Sequence, residues 1–594
     1  MFNTILGVVL LLFPFLLIFR FSDRWRGFLY ILTADIAWHL TVALITQAFH
    51  IFSYPLILVI HSLLAVAVLW ALVGKNSRPD WQIKINWLAI AAFAIIIFEL
   101  ASVHYFYSGA VSSLRSQDNV ARESYIYPYF SDEWVGVAFV KRAIASHSLP
   151  IVNPLIDGFG YQNFPNIFVA FFAFLAEIFL LLNLAPLTGY AILGIVFGAL
   201  ICWLVYVLLR NNQVGPLAAT VGALCLPYIT NGQNLAGIWY LLPLTGGLPL
   251  LLISLTAGTL KDKALAGASG LLAVIIYPPL VVFCLPAYLA LLCFDAQERT
   301  AGKLRNIIYG AVALAAAAAL VVFIQRANFG QLSGLFATYL IYPSLTRGIP
   351  SFAIWNIIPW IILPFAAIGL IRWWRERAWT LLIPIYIGLL LWIIYTRSLS
   401  VFIIGYDRTV VITSFLIVGA GAAGLDYLAK LAAERWPFLN QTTTRRQIAL
   451  FVLAIFLLLS WNYTQRDNWR RLILRTTVDG REITVKPLAP ATNFFTAEDR
   501  QLFGSLSHGR FLSNDWKGLV IGAATGNWPL NSKDSIVTNK LLDFGYFGSL
   551  DCADKYQQAV KYELGYVYSP AFDCPNFQLL GSSNEDLYLY HFQP

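Results

Sequence analysis

The sequence predicts a mainly α-helical, polytopic membrane bundle of about 14 spans, closed by a small mixed α/β domain at the C-terminus. Three observations carry this. Of the 594 residues, 59% are hydrophobic and only 12% charged, with mean hydropathy +0.68, whereas soluble domains hold roughly a quarter of charged residues. Apolar segments of about 17–25 residues, the length that crosses a hydrocarbon core, recur along the chain and are separated by short loops rich in Lys and Arg. Past residue 464 the chain turns polar and aromatic, with turn signals such as Asn514-Asp515, Thr525-Gly526-Asn527 and Gly581-Ser582-Ser583.

The net charge of +9 would suggest nucleic acid in a soluble protein. Here the cations sit in short loops between apolar runs, where they set orientation and meet anionic lipid, so nucleic-acid binding is excluded. The first apolar run, Thr4 to Phe19, lacks a small-residue cleavage site and is read as a retained helix. The next, Phe28–Phe49, carries Asp35 and His39 one turn apart, and ionisable groups inside a span read as functional by default. A proton relay is one reading. A structural polar contact of Asp35 and His39 with Glu99 of the fourth span is the preferred one, and Glu177 is a further candidate for the same role.

Basic loops at Arg20–Arg26 and Lys75–Lys84 are assigned to the cytoplasm, so the helix from Trp87 to Tyr107 runs outward and delivers Ser108–Pro165 to the exterior. Asn166–Leu182 and Leu187–Leu209 look like two spans, yet two crossings would strand Arg210 outside. Either the first stretch is re-entrant or interfacial, the preferred reading, or Arg210 is an exception to a statistical rule. From Lys261 onward the basic loops Lys261–Lys263, Glu298–Arg305, Arg372–Arg377 and Lys430–Arg446 alternate with loops poor in positive charge. Within that stretch Tyr277-Pro278-Pro279 breaks the apolar run and reads as the turn of a short helical hairpin. Gln447–Tyr463 then leads outward. The chain divides into a membrane module, residues 1–463, and an exterior domain, residues 464–594, of a plasma (inner) membrane protein.

Cys202, Cys225, Cys284 and Cys293 fall in apolar segments and read as small hydrophobes. Cys552 and Cys574 are isolated in the exterior domain, the pattern of a disulfide in an oxidising compartment. No His/Cys spacing suggests a metal site. In the same domain the alternation of Tyr566-Val567-Tyr568 and of Leu587-Tyr588-Leu589-Tyr590 predicts strands.

Charge is concentrated in Ser108–Pro165, which holds Asp118, Arg122, Glu123, Asp132, Glu133, Lys141, Arg142, His147 and Asp157. The run from Asp132 to Ile144 has helical apolar spacing, with Val135, Ala138, Phe139 and Arg142 on one face, and predicts an amphipathic helix at the membrane surface capped by Ser131. Asp132 and Glu133 fall in its first turn. There they favour the helix dipole by about 0.3–1 kcal/mol each with no further role, or else meet a lipid head group, where a carboxylate serves as general base.

Phe130-Ser131-Asp132-Glu133-Trp134, Ala145-Ser146-His147-Ser148-Leu149-Pro150, Asn153-Pro154 and Tyr161-Gln162-Asn163-Phe164-Pro165-Asn166 together resemble the first extracytoplasmic loop of the GT-C superfamily of lipid-phosphosugar-dependent glycosyltransferases. In that superfamily an acidic residue after an early membrane helix is the expected catalytic base, and Asp132 matches it. The Asp-Glu pair is also similar to that of protein O-mannosyltransferases, but their His-Pro-Pro stretch is absent, so a protein acceptor is not carried over. Three spans before Trp87 are additional to the usual GT-C order.

The resemblance implies a polyprenyl-phosphosugar donor and a glycan or glycolipid acceptor, with inverting transfer. Asp132 is the expected base, and Glu133 orients the acceptor or a divalent metal. Arginine forks two hydrogen bonds to one phosphate, and Arg408 looks like the arginine near the lipid phosphate in many GT-C enzymes, with Arg347 and Arg397 as further candidates. Pairing of Arg408 with Asp407, or snorkelling to the interface, is the plain alternative. Arg326 reads as an interface anchor. Ser513-Asn514-Asp515-Trp516-Lys517-Gly518 followed by Thr525-Gly526 resembles terminal domains of some bacterial GT-C proteins, and Trp516 and Trp528 are candidates for stacking on an acceptor sugar or for the domain core. The competing class is a transporter or flippase of lipid-linked glycans, which would use Asp35 and His39 and call for a repeat symmetry that the sequence does not display.

Overall fold

A computed structural model describes residues 2–21, 23–73, 86–101, 126–128, 131–155, 166–229, 237–294, 358, 362–398, 404–465, 475–478, 481–484, 495–504, 506–532, 542–583 and 587–594. Two-turn-plus apolar runs become helices throughout the first part of the chain. These are α1 (Phe2–Leu12), α2 (Arg24–Ala48), α3 (Tyr54–Val73), α4 (Trp87–Ala101), α5 (Ser131–Ser146), α6 (Val169–Leu181), α7 (Pro186–Asn211) and α8 (Pro216–Leu224). They continue as α9 (Pro243–Thr259), α10 (Lys263–Ile276), α11 (Val281–Phe294), α12 (Leu363–Arg375), α13 (Trp379–Ser398), α14 (Tyr406–Arg435) and α15 (Thr442–Gln465). Among the described residues 6 helices are long and apolar enough to cross a membrane, so the expected count of about 14 spans is not established.

The bundle shares one apolar core that runs from α1 to α14. Where hydrocarbon surrounds the helices, close backbone approach replaces the hydrophobic effect as the source of association. The α12–α14 contact illustrates it: a Cβ added to Gly424 would lie 1.9 Å from the Phe365 carbonyl oxygen, and one on Gly369 would lie 1.8 Å from that of Ala420.

One face of the bundle gathers the basic loops. The Asp262 carboxylate accepts from Arg26 Nη2 at 2.6 Å and from the Tyr30 hydroxyl at 2.7 Å. Asp426 accepts from Arg372 Nη1 at 3.2 Å and from the Gly215 amide at 2.8 Å, and pairs with Lys430 Nζ at 2.7 Å. Asn211, Lys261 and Arg377 line a single cavity on this face. The start of α7 lies at the opposite end, where Tyr190 meets Gly136 of α5, so α7 crosses and carries Arg210 to the basic face. Helix α6, 13 residues and about 20 Å long, begins beside Tyr277 through the Phe168–Tyr277 stack (5.5 Å) and ends with Phe179 stacked on Tyr190 (5.9 Å). Its two ends thus pack against Tyr277 and Tyr190.

The hairpin of residues 261–294 forms as its prolines dictate, with α10 and α11 joined by a 3₁₀ turn over Pro278–Leu280.

The C-terminal part adds α16 (Ala497–Gly504), α17 (Asp515–Thr525), α18 (Phe544–Ser549) and α19 (Cys552–Lys561). Its strands are β1 (Arg475–Val478), β2 (Arg481–Thr484), β3 (Arg510–Leu512), β4 (Trp528–Pro529), β5 (Tyr566–Ser569), β6 (Phe577–Ser582) and β7 (Tyr588–Phe592). β1 and β2 pair antiparallel, and the other five form a mixed sheet in the order β4-β3-β5-β7-β6. The period-two alternation is realised. Phe511, Tyr566, Tyr568 and Leu589 face one apolar cluster, while Leu512, Val567, Tyr590 and Phe592 face the other. The Cys552–Cys574 disulfide forms across this domain, and Cys202, Cys225 and Cys284 are buried as small hydrophobes while Cys293 is exposed.

The helix expected to lie on the membrane surface is clamped on two sides. Val137, Phe139, Val140 and Ala143 of α5 join the bundle core, and Trp134 and Ala138 pack with Leu519, Val520 and Ala523 of α17. Lys141, which reads as a solvent-facing cation in the sequence, donates from Nζ to the Ala523 and Ala524 carbonyl oxygens at 3.2 and 2.7 Å. These are carbonyls at a helix C-terminal end, which lack intrahelical donors, so a lysine from a distant segment caps them.

Candidate active site

Two helix N-terminal ends meet where α5 and α14 face each other. Each carries the partial positive charge of its dipole, and each places an aspartate in its first turn, Asp132 on α5 and Asp407 on α14. Arg408 lies between them: Nη2 donates to Asp132 Oδ2 at 3.0 Å, and Nη1 donates to Asp407 Oδ2. Without the two carboxylates a guanidinium at a helix N-terminus would oppose the dipole. Of the sequence readings of Arg408, the local pairing with Asp407 is present, and the same guanidinium also reaches Asp132.

Tyr277, from the proline-marked hairpin turn, is buried, and its hydroxyl hydrogen-bonds with the Arg408 side chain. Residues 132, 277 and 408 converge although they lie on three separate segments. Tyr277 is a site residue that sequence reasoning missed. The signal was there, since a Tyr-Pro-Pro break fixes a hairpin tip, and tips on the same side as the charged loop are where a site assembles.

Helix α5 is held in place by side chains chosen for fit. Gly136 faces Tyr190 so closely that an added Cβ would sit 2.0 Å from its hydroxyl oxygen, and Phe139 stacks on Phe172 at 4.8 Å. Glu133 is buried, and its Oε1 accepts the Leu241 amide at 3.0 Å. This bond ties α5 to the segment leading into α9, and in it Glu133 plays a positioning part. His147 ends α5 with φ 53° and pairs through Nδ1 with the Phe52 carbonyl.

Arg397 lies on α13, and Arg347 lies outside the described residues, as do Arg326, Asp118, Arg122, Glu123 and Asp157. Trp516 is partly buried against the α5–α17 interface, whereas Trp528 on β4 is 42% exposed. The motif around Trp516 has a structural explanation. Asn514 caps α17 by accepting the Lys517 amide at 2.8 Å, and the buried Lys517 Nζ pairs with Asp499 Oδ2 at 2.5 Å.

Of the two glutamates named for the intramembrane contact, the second is the one that makes it. His39 bonds Glu177 of α6, not Glu99, because α6 inserts beside α2 and α3. Glu99 is buried on α4.

The site's chemistry follows from this arrangement. A guanidinium has five N–H donors, and together with two helix N-terminal ends it makes a seat for an anion. A carboxylate 3.0 Å from that seat is placed to take a proton from a group arriving beside the anion.

No family model matches the sequence, and no curated protein matches it. Among solved structures, the chain is similar to the archaeal oligosaccharyltransferase AglB from Archaeoglobus fulgidus in complex with an inhibitory peptide and a dolichol-phosphate, at 12% identity and TM-score 0.45, over 82% of this chain and 69% of that one. It is similar also to the apo form of the Archaeoglobus fulgidus oligosaccharyltransferase, at 14% identity and TM-score 0.45, over 83% and 70%. The form tethered to an acceptor peptide containing the NVT sequon gives 13% identity and TM-score 0.44, over 82% and 69%. At these values the likenesses fix neither substrate nor chemistry for this chain.

Proposed function

We propose that the chain is a GT-C-type membrane glycosyltransferase that moves a sugar from a polyprenyl-phosphate donor to a hydroxyl of a glycan or glycolipid acceptor outside the cytoplasm, with inversion. The observation that carries this is the 3.0 Å pairing of Asp132 with Arg408 across two helix N-terminal ends. It places a base next to an anion seat. In the step, the acceptor hydroxyl gives its proton to Asp132 as its oxygen bonds to the sugar's anomeric carbon. The bond from that carbon to the phosphate oxygen breaks, and polyprenyl phosphate leaves with the electron pair, its charge held by Arg408 with Tyr277 beside it.

Two consequences go with this reading. The protein belongs to the plasma membrane, with residues 464–594 as an exterior domain docked on α5, and Trp528 is the exposed aromatic available to an acceptor sugar. Arg347 and Arg397 stay candidates for further phosphate contacts, and a divalent metal for assisting the donor.

The test is product formation when the purified chain is given a panel of polyprenyl-phosphosugars with glycan and glycolipid acceptors. Transfer of a sugar with inverted anomeric configuration supports the reading. A protein that binds these donors and moves them across vesicles without breaking the glycosyl bond contradicts it.

A further inference from the structure

Below α5, three side chains from three membrane helices point into one buried space. His39 on α2 sets Nδ1 2.8 Å from Glu177 Oε2 on α6, and His61 on α3 sets Nε2 2.6 Å from Glu177 Oε1. The two imidazoles stack with centroids 4.5 Å apart, and donor atoms of all three residues lie within 4.8 Å of one another. His39 is 2% exposed, His61 1% and Glu177 0%. Asp35, one turn before His39, sets Oδ1 3.8 Å from the other His39 nitrogen.

Charge balance is what this cluster has to solve. Two carboxylates, Asp35 and Glu177, are buried in an apolar bundle, where an uncompensated charge is costly. The two imidazoles are the groups placed against them, His39 and His61 on Glu177 at 2.8 and 2.6 Å and His39 at 3.8 Å from Asp35. With neutral imidazoles the cluster carries two negative charges, and one divalent cation cancels both.

From this we infer that His39 Nδ1, His61 Nε2 and the Glu177 carboxylate form a binding site for a zinc-class divalent ion. The donor set fits that class. Two imidazole nitrogens and one carboxylate suit zinc, whereas calcium and magnesium call for six or more oxygens and waters. The ion's task is structural: it ties α2, α3 and α6 together, and α6 is the floor on which α5 rests through the Phe172–Phe139 stack. No His-x-His spacing betrays the site, because its ligands are 22, 116 and 138 residues apart in the chain.

The alternative is that protons supply the missing charge and the trio is a hydrogen-bonded bracket. The full chain, purified in detergent and dialysed against metal-free buffer, separates the two. The site predicts about one zinc per chain by mass spectrometry, visible cobalt absorption of a four-coordinate nitrogen–oxygen site after exchange, and a melting temperature that rises with zinc to saturation. His61→Gln and Glu177→Gln lose the bound metal and the zinc-dependent melting shift. If either variant fails to fold, the cobalt titration of the wild-type chain decides alone. Folded wild-type protein that retains no metal, gives no cobalt spectrum and melts identically with and without zinc overturns the site.

Discussion

Asp499→Asn is a perturbation whose magnitude can be worked from the contacts. Asp499 and Lys517 are both 0% exposed and 2.5 Å apart. The same carboxylate accepts from the Tyr568 hydroxyl at 2.9 Å and from the Thr496 amide at 3.0 Å. Asparagine keeps the shape but removes the countercharge beside a buried ammonium, and breaking a buried pair in this way costs about 3–5 kcal/mol. For a domain of this size each kcal/mol moves melting by about 3–5 °C, so even the low end lowers it by roughly 9 °C. Replacing both partners, Asp499→Asn with Lys517→Met, removes the buried charge altogether and restores most of the loss. Protease accessibility of the C-terminal domain in the intact chain, followed against temperature, reads both effects. A single variant that melts with the wild type, or a double variant no better than the single, refutes the reasoning.

Replacing Cys552 and Cys574 by Ser removes a cross-link over 22 residues, with an expected loss of about 3 kcal/mol; thiol labelling of the unreduced wild type should find both sulfurs blocked. Burial holds the Lys141 ammonium below its ordinary 10.5, so just under that value the unfolded chain binds more protons than the folded one, and stability rises with pH. Melting of the wild type measured from pH 8 to pH 10 should therefore climb relative to Lys141→Met, and parallel curves would count against the buried ammonium. Gly136→Val drives a side chain into Tyr190 and should lower turnover and melting together, without any change at Asp132. Tyr277→Phe removes the hydroxyl beside Arg408 and should weaken donor binding by several-fold, at about 0.5–1.5 kcal/mol, with stability little changed.

Much of the architecture was legible because its causes are local or periodic. The proline-marked hairpin tip at Tyr277 and the alternating strands at Tyr566 and Leu589 follow from backbone chemistry and side-chain period. The disulfide followed from compartment and isolation. What was not legible depends on packing between distant segments. Helix α5 has the pattern of an interfacial helix, yet both of its faces are buried once α17 docks, and no single-sequence pattern tells a water-facing side from one that meets another domain. His39 chose Glu177 over Glu99 for the same reason, since only the placement of α6 decides. At the site itself, Asp132 and Arg408 were named from residue type and position, while Tyr277 emerged only when three segments came together.

The central claim is that Asp132 takes the acceptor's proton, and Asp132→Asn tests it most directly. The replacement keeps the shape and a hydrogen-bond acceptor toward Arg408 while removing the charge and the basicity. Turnover, donor binding and melting temperature are measured on one preparation of that variant. The account predicts transfer reduced by about 10²–10⁴-fold, with donor binding and melting close to the wild type. A variant that transfers sugar at nearly the wild-type rate while losing up to about 1 kcal/mol of stability, as a residue serving only the helix dipole would, contradicts it.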